Sequence, residues 1–184
     1  MYLILLAWVY FLSSKMTNIA LNYKTFSVKI VVLAIGKTDE GWIQEGIDKY
    51  SKRLKHYISF DFQIIPDIKN RKNLSEIQQK EQEGELILKQ LQSTDQLILL
   101  DEKGKDFTSR KFAQFLQQKM NSGAKRLVFV IGGPYGYSET LYDTAFANIS
   151  LSKMTFSHQM IRPFFSEQLY RAFSILNNEP YHHD

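Results

Sequence analysis

A chain of 184 residues is the size of one domain and long enough to bury a full core without disulfide or metal staples. Its 44% hydrophobic and 23% charged content is that of an ordinary globular protein, which excludes disordered, collagen-like and multi-span membrane classes. With no cysteine, disulfides, thiolate metal sites and cysteine nucleophiles are excluded too, and a net charge of +4 leans only weakly toward an anionic partner.

Residues 1–12, MYLILLAWVYFL, carry no charge; residues 13–27 are polar, and the composition changes abruptly at Val28. Twelve apolar residues span about 18 Å as a helix, short of a hydrocarbon core of about 30 Å. A secretory signal would want a positive residue before the run and a small-x-small cleavage site after it, and neither is clear. A membrane-surface anchor, a degenerate signal and a downstream translation start remain. The last is preferred, because Val28 opens a strand from which the domain reads as whole. Residues 1–27 are therefore expected to be an extension, 28–184 a single domain, and no stable membrane association is expected.

From Val28, VKIVVLAIG is β-branched and apolar up to Gly36, as a strand buried on both faces should be. Trp42, Ile43, Gly46, Ile47, Tyr50 and Leu54 then recur at helical spacing, with Lys49, Lys52, Arg53 and Lys55 largely off that stripe. A second strand is predicted over Phe60 to Pro66, a Gln- and Glu-rich helix over about Leu74 to Leu91, and a third strand over Asp95 to Leu100. Thr108 can cap a helix carrying Phe112, Phe115, Leu116 and Met120 that stops at Ser122-Gly123. Leu127 to Ile131 is the fourth strand. A Gly-rich loop, a short helix from about Ser138, a short strand near Ile149 to Leu151 and a last helix beginning near Ser157 to Gln159 and reaching about Leu176 complete the chain. Alternating strands and helices predict a parallel α/β sheet with helices on both faces.

In such sheets ligands bind beyond the carboxyl ends of the strands. Three segments fall there: Leu100-Asp101, IGGPYG (Ile131 to Gly136) and SLSKMTFSHQMIR (Ser150 to Arg162). Glycines at 132 and 133 permit close approach of a ligand where a Cβ would not, although a tight turn alone would also explain them. Neither the G-x-G-x-x-G fingerprint nor a P-loop ending is present, so NAD and nucleoside triphosphates lose their motif support.

These three segments, together with the helix EQLYRAF (Glu167 to Phe173) and the ending EPYHHD, resemble the RlmH family of SPOUT methyltransferases, over the whole of Val28 to Asp184. The resemblance implies an α/β knot, with a C-terminal trefoil knot in the parallel sheet. It also implies a cytoplasmic homodimer that uses S-adenosylmethionine to methylate N3 of a pseudouridine in helix 69 of 23S rRNA on the assembled ribosome. A methyltransferase acting on another RNA such as tRNA, or a non-catalytic RNA-binding module, is the alternative. Carried over by position, the cofactor residues are Leu100, Gly132, Leu151, Ser152, Lys153, Met154, Thr155 and Phe156; no metal is implied. Met154 and Phe156 would otherwise read as core. Ser157 stands where the family commonly has Pro, and Pro163 where an aliphatic residue is usual.

Methylating a pyrimidine N3 requires loss of its proton, so a base is sought among His158, His182 and His183, which the sequence leaves open. Arg162 could pair with an RNA phosphate or with the anionic base during proton loss, or form a salt bridge to Glu167 or another carboxylate, and Tyr181 could stack on a base or pack at the chain end. Lys49, Lys52, Arg53, Lys55, Lys69, Arg71, Lys72, Lys125 and Arg126 are candidate phosphate contacts. The last helix carries apolar residues on more than one side (Ile161, Phe164, Phe165, Leu169, Ala172, Phe173 and Leu176), more than one sheet face needs.

Overall fold

The computed structural model describes residues 28–69 and 71–183. The expected extension, residues 1–27, lies outside the described residues. Five strands, β1 (Lys29–Ile35), β2 (Ser59–Ile65), β3 (Asp95–Asp106), β4 (Arg126–Ile131) and β5 (Ala147–Ser150), form one parallel sheet in the order β2-β1-β4-β3-β5. The helices between and after them are α1 (Gly41–Leu54), α2 (Glu76–Leu88), α3 (Ser109–Asn121), α4 (Glu139–Thr144) and α5 (Ile161–Leu176), with a 3-10 turn at Arg71–Asn73.

The sheet is covered on both faces, and β1 shows why its sequence is apolar throughout. Ile30, Val32 and Ala34 point into a core built with α1, α3 and α5, while Val31, Leu33 and Ile35 point into a second core built with α2 and α4. α5 packs against both α1 and α3, and Phe165 at its start meets Phe129 of β4 at 5.0 Å between ring centroids and Phe112 of α3 at 6.3 Å. Side chains meet orphan N–H groups at three helix starts. Ser75 forms a reciprocal capping box with Gln78, Thr108 accepts from Lys111 N–H and Ser138 from Leu141 N–H.

Two boundaries differ from the sequence reading. β3 does not stop at Leu100 but continues to Asp106: after a register jump between Leu100 and Lys105 it pairs again with β5, and Gly104 lies so close to the β5 backbone that a Cβ would sit 2.6 Å from Ile149 N. α5 begins at Ile161, not at 157–159. The turn before it is tightened by Ile161 N–H to Ser157 O and Arg162 N–H to Gln159 O, and Pro163 falls in the first helical turn, where its missing N–H leaves no acceptor unmet.

After α5 the chain reverses. Asn178 takes the left-handed conformation (φ 55°), with Glu179 N–H bonded to Ser174 O and Asn178 N–H to Ile175 O, a Schellman end that sends the tail back along the helix. Among the described residues no helix is long and apolar enough to cross a membrane. Phe165→Ala, which empties the junction of α5, α3 and β4, should cost about 3–5 kcal/mol of unfolding free energy in urea titration.

Candidate active site

The carboxyl ends of β3, β4 and β5 open into a cavity of about 460 Å³. Seven of the eight positions expected to hold a cofactor line it: Leu100, Gly132, Leu151, Ser152, Met154, Thr155 and Phe156. The exception is Lys153, whose ammonium pairs with Asp106 on β3. Met154 and Phe156 are not core residues: Met154 is 76% exposed and Phe156, also exposed, rests on Phe164 at 5.3 Å. The segment 151–156 is shaped by short polar bonds. Ser150 Oγ donates to Ser152 O (2.8 Å), Met154 N–H to Ser152 Oγ (2.9 Å) and Thr155 Oγ1 to Glu102 Oε2 (2.9 Å). Glu102 belongs to the part of β3 beyond Leu100, where the predicted third strand ends.

The glycine loop is held from behind. Tyr137, fully buried at its hydroxyl end, accepts from Gly132 N–H at 3.0 Å and sits 2.7 Å from Val130 O and 2.9 Å from Leu100 O, so one oxygen joins the ends of β3 and β4. Burial pushes its phenol well above the ordinary range, which keeps it a donor at every physiological pH. Gly132 lines the cavity, and a Cβ there would meet the Tyr137 ring at 2.8 Å. At Gly133 the obstacle is the Glu83 carboxyl group, whose Cδ would lie 2.9 Å away. Both glycines are demanded by side chains inside the protein.

Beyond the glycine loop lies a second cavity of about 420 Å³, with Lys37, Arg71 and Lys72 on its wall; Gly133, Pro134, Tyr135 and His158 line both cavities. His158 is half-buried, and burial together with the neighbouring Arg162 charge lowers its pKa below the ordinary 6.5, so it is neutral at pH 7. Arg162 is buried completely, and it makes no ion pair with Glu167. Its Nε donates to His158 O (3.0 Å), Nη1 to Thr38 Oγ1 (2.9 Å) and Nη2 to Ile35 O (2.7 Å). Gln159 adds bonds to Lys37 O and Asp39, so the chain after β5 is fastened across the carboxyl end of β1.

The tail is elsewhere within the chain. Tyr181 packs edge-on against Tyr170 at 4.7 Å, its hydroxyl donating to Glu167 Oε1 at 3.0 Å, and Arg171 lies over its ring. Arg171 also pairs with Glu167 and approaches His182 Nδ1 at 3.4 Å. Tyr181, His182 and His183 line neither cavity. The candidate cations divide as well: Arg71 and Lys72 flank the second cavity, whereas Lys125 and Arg126 lie at the amino end of β4, where Arg126 is spent on a largely buried pair with Asp95. Among the described residues no group of three or more His, Asp or Glu side chains could hold a metal ion.

Sequence reasoning missed Tyr137, Glu102 and Glu83. Only Glu83 left a trace: Gln79, Glu83 and Ile87 repeat at intervals of four, the spacing of a buried helical stripe. Tyr137→Phe removes one oxygen and strands the Gly132 N–H and the carbonyl, of Val130 or Leu100, that takes the single hydroxyl hydrogen, so it should lower stability by about 1–3 kcal/mol in a denaturant titration.

The geometry agrees with what the chain is similar to. The family described as "Predicted SPOUT methyltransferase" matches residues 28–182. A protein of Flavobacterium johnsoniae named "Ribosomal RNA large subunit methyltransferase H" is 67% identical over 156 residues, covering 85% of this chain and 99% of that protein. Its namesake in Parabacteroides distasonis is 64% identical over 157 residues, covering 85% of this chain and all of that one. Among solved structures, a probable methylase family protein from Haemophilus influenzae Rd KW20 aligns with a TM-score of 0.45 at 14% identity over 86% of this chain and 71% of that one. On the sequence matches, which span every strand and helix described above, the chain belongs to the SPOUT methyltransferase family.

Proposed function

We propose that this chain is a cytoplasmic S-adenosylmethionine-dependent methyltransferase of large-subunit rRNA, acting as a homodimer on N3 of a pseudouridine in helix 69 of the assembled ribosome. The observation that carries the reading is the convergence of Leu100, Gly132 and, from the segment after β5, Leu151, Ser152, Met154, Thr155 and Phe156 on one cavity of about 460 Å³, inside the range of about 300–1,000 Å³ usual for small-ligand sites. The donor set fits the cofactor. Leu100, Leu151, Met154 and Phe156 offer apolar walls for an adenine, the strand-end loops offer backbone hydrogen bonds, and Asp101 and Glu102 on the same wall suit a cationic ligand. The names of the relatives support rRNA as the substrate.

Bound there, S-adenosylmethionine would supply an electrophilic methyl group on a positively charged sulfur. The protein's part is to hold the acceptor nitrogen in line and to take its proton. Of the histidines considered, His158 is the one on the wall of this chain's cavity, and its lowered pKa leaves it free to accept the N3 proton at neutral pH. Arg162 acts through His158, fixing the backbone that carries it. Around the second cavity Arg71 is paired with Asp67 and Asp39 also lines the wall, so Lys37 and Lys72 are the cations that suit the phosphates of an RNA entering beside it. The fastening of Gln159 and Arg162 across the end of β1 supports a threaded C-terminal segment, as in the trefoil knot.

A homodimer accounts for two further features. Trp42 of α1 and Phe164 of α5 are exposed apolar residues on two helices that pack together, and the tail bearing Tyr181 and His182 would reach a reaction centre only in a second copy. Light scattering after gel filtration should give twice the 21.5 kDa chain mass. Removing residues 181–184 should abolish turnover while leaving cofactor affinity in place.

Calorimetric titration with S-adenosylmethionine should show saturable binding; none would leave a non-catalytic RNA-binding module. Incubation with ribosomes lacking the modification, followed by nucleoside mass spectrometry, should yield N3-methylpseudouridine, and methylation of tRNA instead would reassign the substrate. His158→Ala should slow single-turnover methyl transfer by about 10²-fold or more. The wild-type rate should rise with pH up to the lowered pKa of His158, below 6.5, and level off above it, because the neutral imidazole is the active form.

A further inference from the structure

We propose that Glu83 is a positioning residue for methyl transfer, its buried carboxylate on α2 holding the Gly133 backbone and with it the wall of the cofactor cavity. The inference rests on the cofactor reading above. Glu83 is 4% exposed, an expensive place for a carboxylate, and among the described residues it forms no ion pair, although the Arg71 charge reaches it. Oε1 accepts from Gln79 Nε2 at 2.8 Å, and the carboxyl group presses against Gly133, where a Cβ would lie 2.7 Å from Oε1 and 2.9 Å from Cδ, with the Gly133 amide favouring its ionised form. Only an ionised carboxylate offers both acceptors without presenting a hydrogen to either donor. Gly133 lies between the two cavities and lines both, so whatever fixes this amide fixes the partition between the cofactor side and the basic side.

The surroundings set a direction for pH dependence. Burial raises the Glu83 pKa above 4.5; Gln79 on its own helix and the Gly133 amide oppose this, Asp67 beyond β2 adds to it and Arg71 opposes it. On the adjoining α4 side the neighbour of Gly84 is the neutral Ser138 hydroxyl. As pH falls through the raised value, protonation puts a hydrogen on one oxygen and frees one donor, and the loop loosens.

The test is calorimetric titration of the full chain with S-adenosylmethionine between pH 5 and pH 8, alongside thermal melting, for the wild type, Glu83→Gln and Gln79→Met. Glu83→Gln keeps the shape but points a donor at a donor, so affinity should drop roughly tenfold at pH 7, the scale of one buried hydrogen bond. Because a buried charge is removed, its melting temperature should hold or rise. Wild-type affinity should fall toward pH 5 more steeply than that of Glu83→Gln, a comparison in which the His158 contribution cancels. Gln79→Met, which takes away a bond that favours the ionised form, should move the midpoint of that fall to higher pH.

Equal affinity and equal pH profiles in wild type and Glu83→Gln would overturn the proposal while leaving the cofactor reading intact. A loss of affinity matched by a loss of melting temperature would also overturn it, by making Glu83 a folding residue. Failure of the wild type to bind S-adenosylmethionine at all would overturn both.

Discussion

A guanidinium shut away from water has to find all of its acceptors inside the protein, and the C-terminal third of this molecule is arranged around that demand. Arg162 meets it with the carbonyls of Ile35 and His158 and the hydroxyl of Thr38. Those partners come from the end of β1 and from the turn that precedes α5, two places more than 120 residues apart. The bonds draw the 157–162 turn over the sheet, set His158 between two cavities and fix where α5 starts. Buried charges of this kind are poor sources of net stability and strong enforcers of one arrangement, since removing any partner strands a donor where no water can replace it.

The cavity follows from the same principle applied to neutral and anionic groups. Its walls are loops, yet each loop is tied to an element behind it: the glycine turn to Tyr137 and Glu83, the 151–156 segment to Glu102 and Asp106 of the prolonged β3. A site that places a methyl donor against an acceptor gains from walls that do not rearrange on binding. Here that rigidity comes from groups at the back of the loops, leaving Met154 and Phe156 exposed on the cavity side.

Much of this was legible in the residues. β1 and β4 are apolar runs because both faces of the sheet are covered at its centre, the edge strand β2 mixes Phe60, Phe62 and Ile65 with Asp61 and Gln63, and α1 and α3 carry apolar stripes at helical spacing. The second half of β3 was not legible, because DEKGKD is polar and reads as loop; its pairing comes from β5, more than 40 residues away, at the edge of the sheet. The start of α5 was misplaced because the His158 carbonyl, which would accept the N–H of residue 162 in a helix, is taken by the Arg162 side chain. In the site, the cofactor positions came from family resemblance. The Tyr137 ring behind Gly132 was not legible, because a sequence does not reveal which side chain lies behind a turn.

The strand order carries a cost during synthesis. β1 gains its β2 neighbour after about 30 residues, but its other edge belongs to β4, and Lys29 pairs with Arg126 across 97 residues of chain. At roughly 5–20 residues per second that second edge stays open for about 5–20 s. During that time the most apolar strand of the domain has an unpaired row of backbone groups, and neither half of the core can close because β4 supplies both. Until the centre of the sheet arrives, the β1-α1-β2 segment carries an open strand edge of the kind with which other nascent chains can pair.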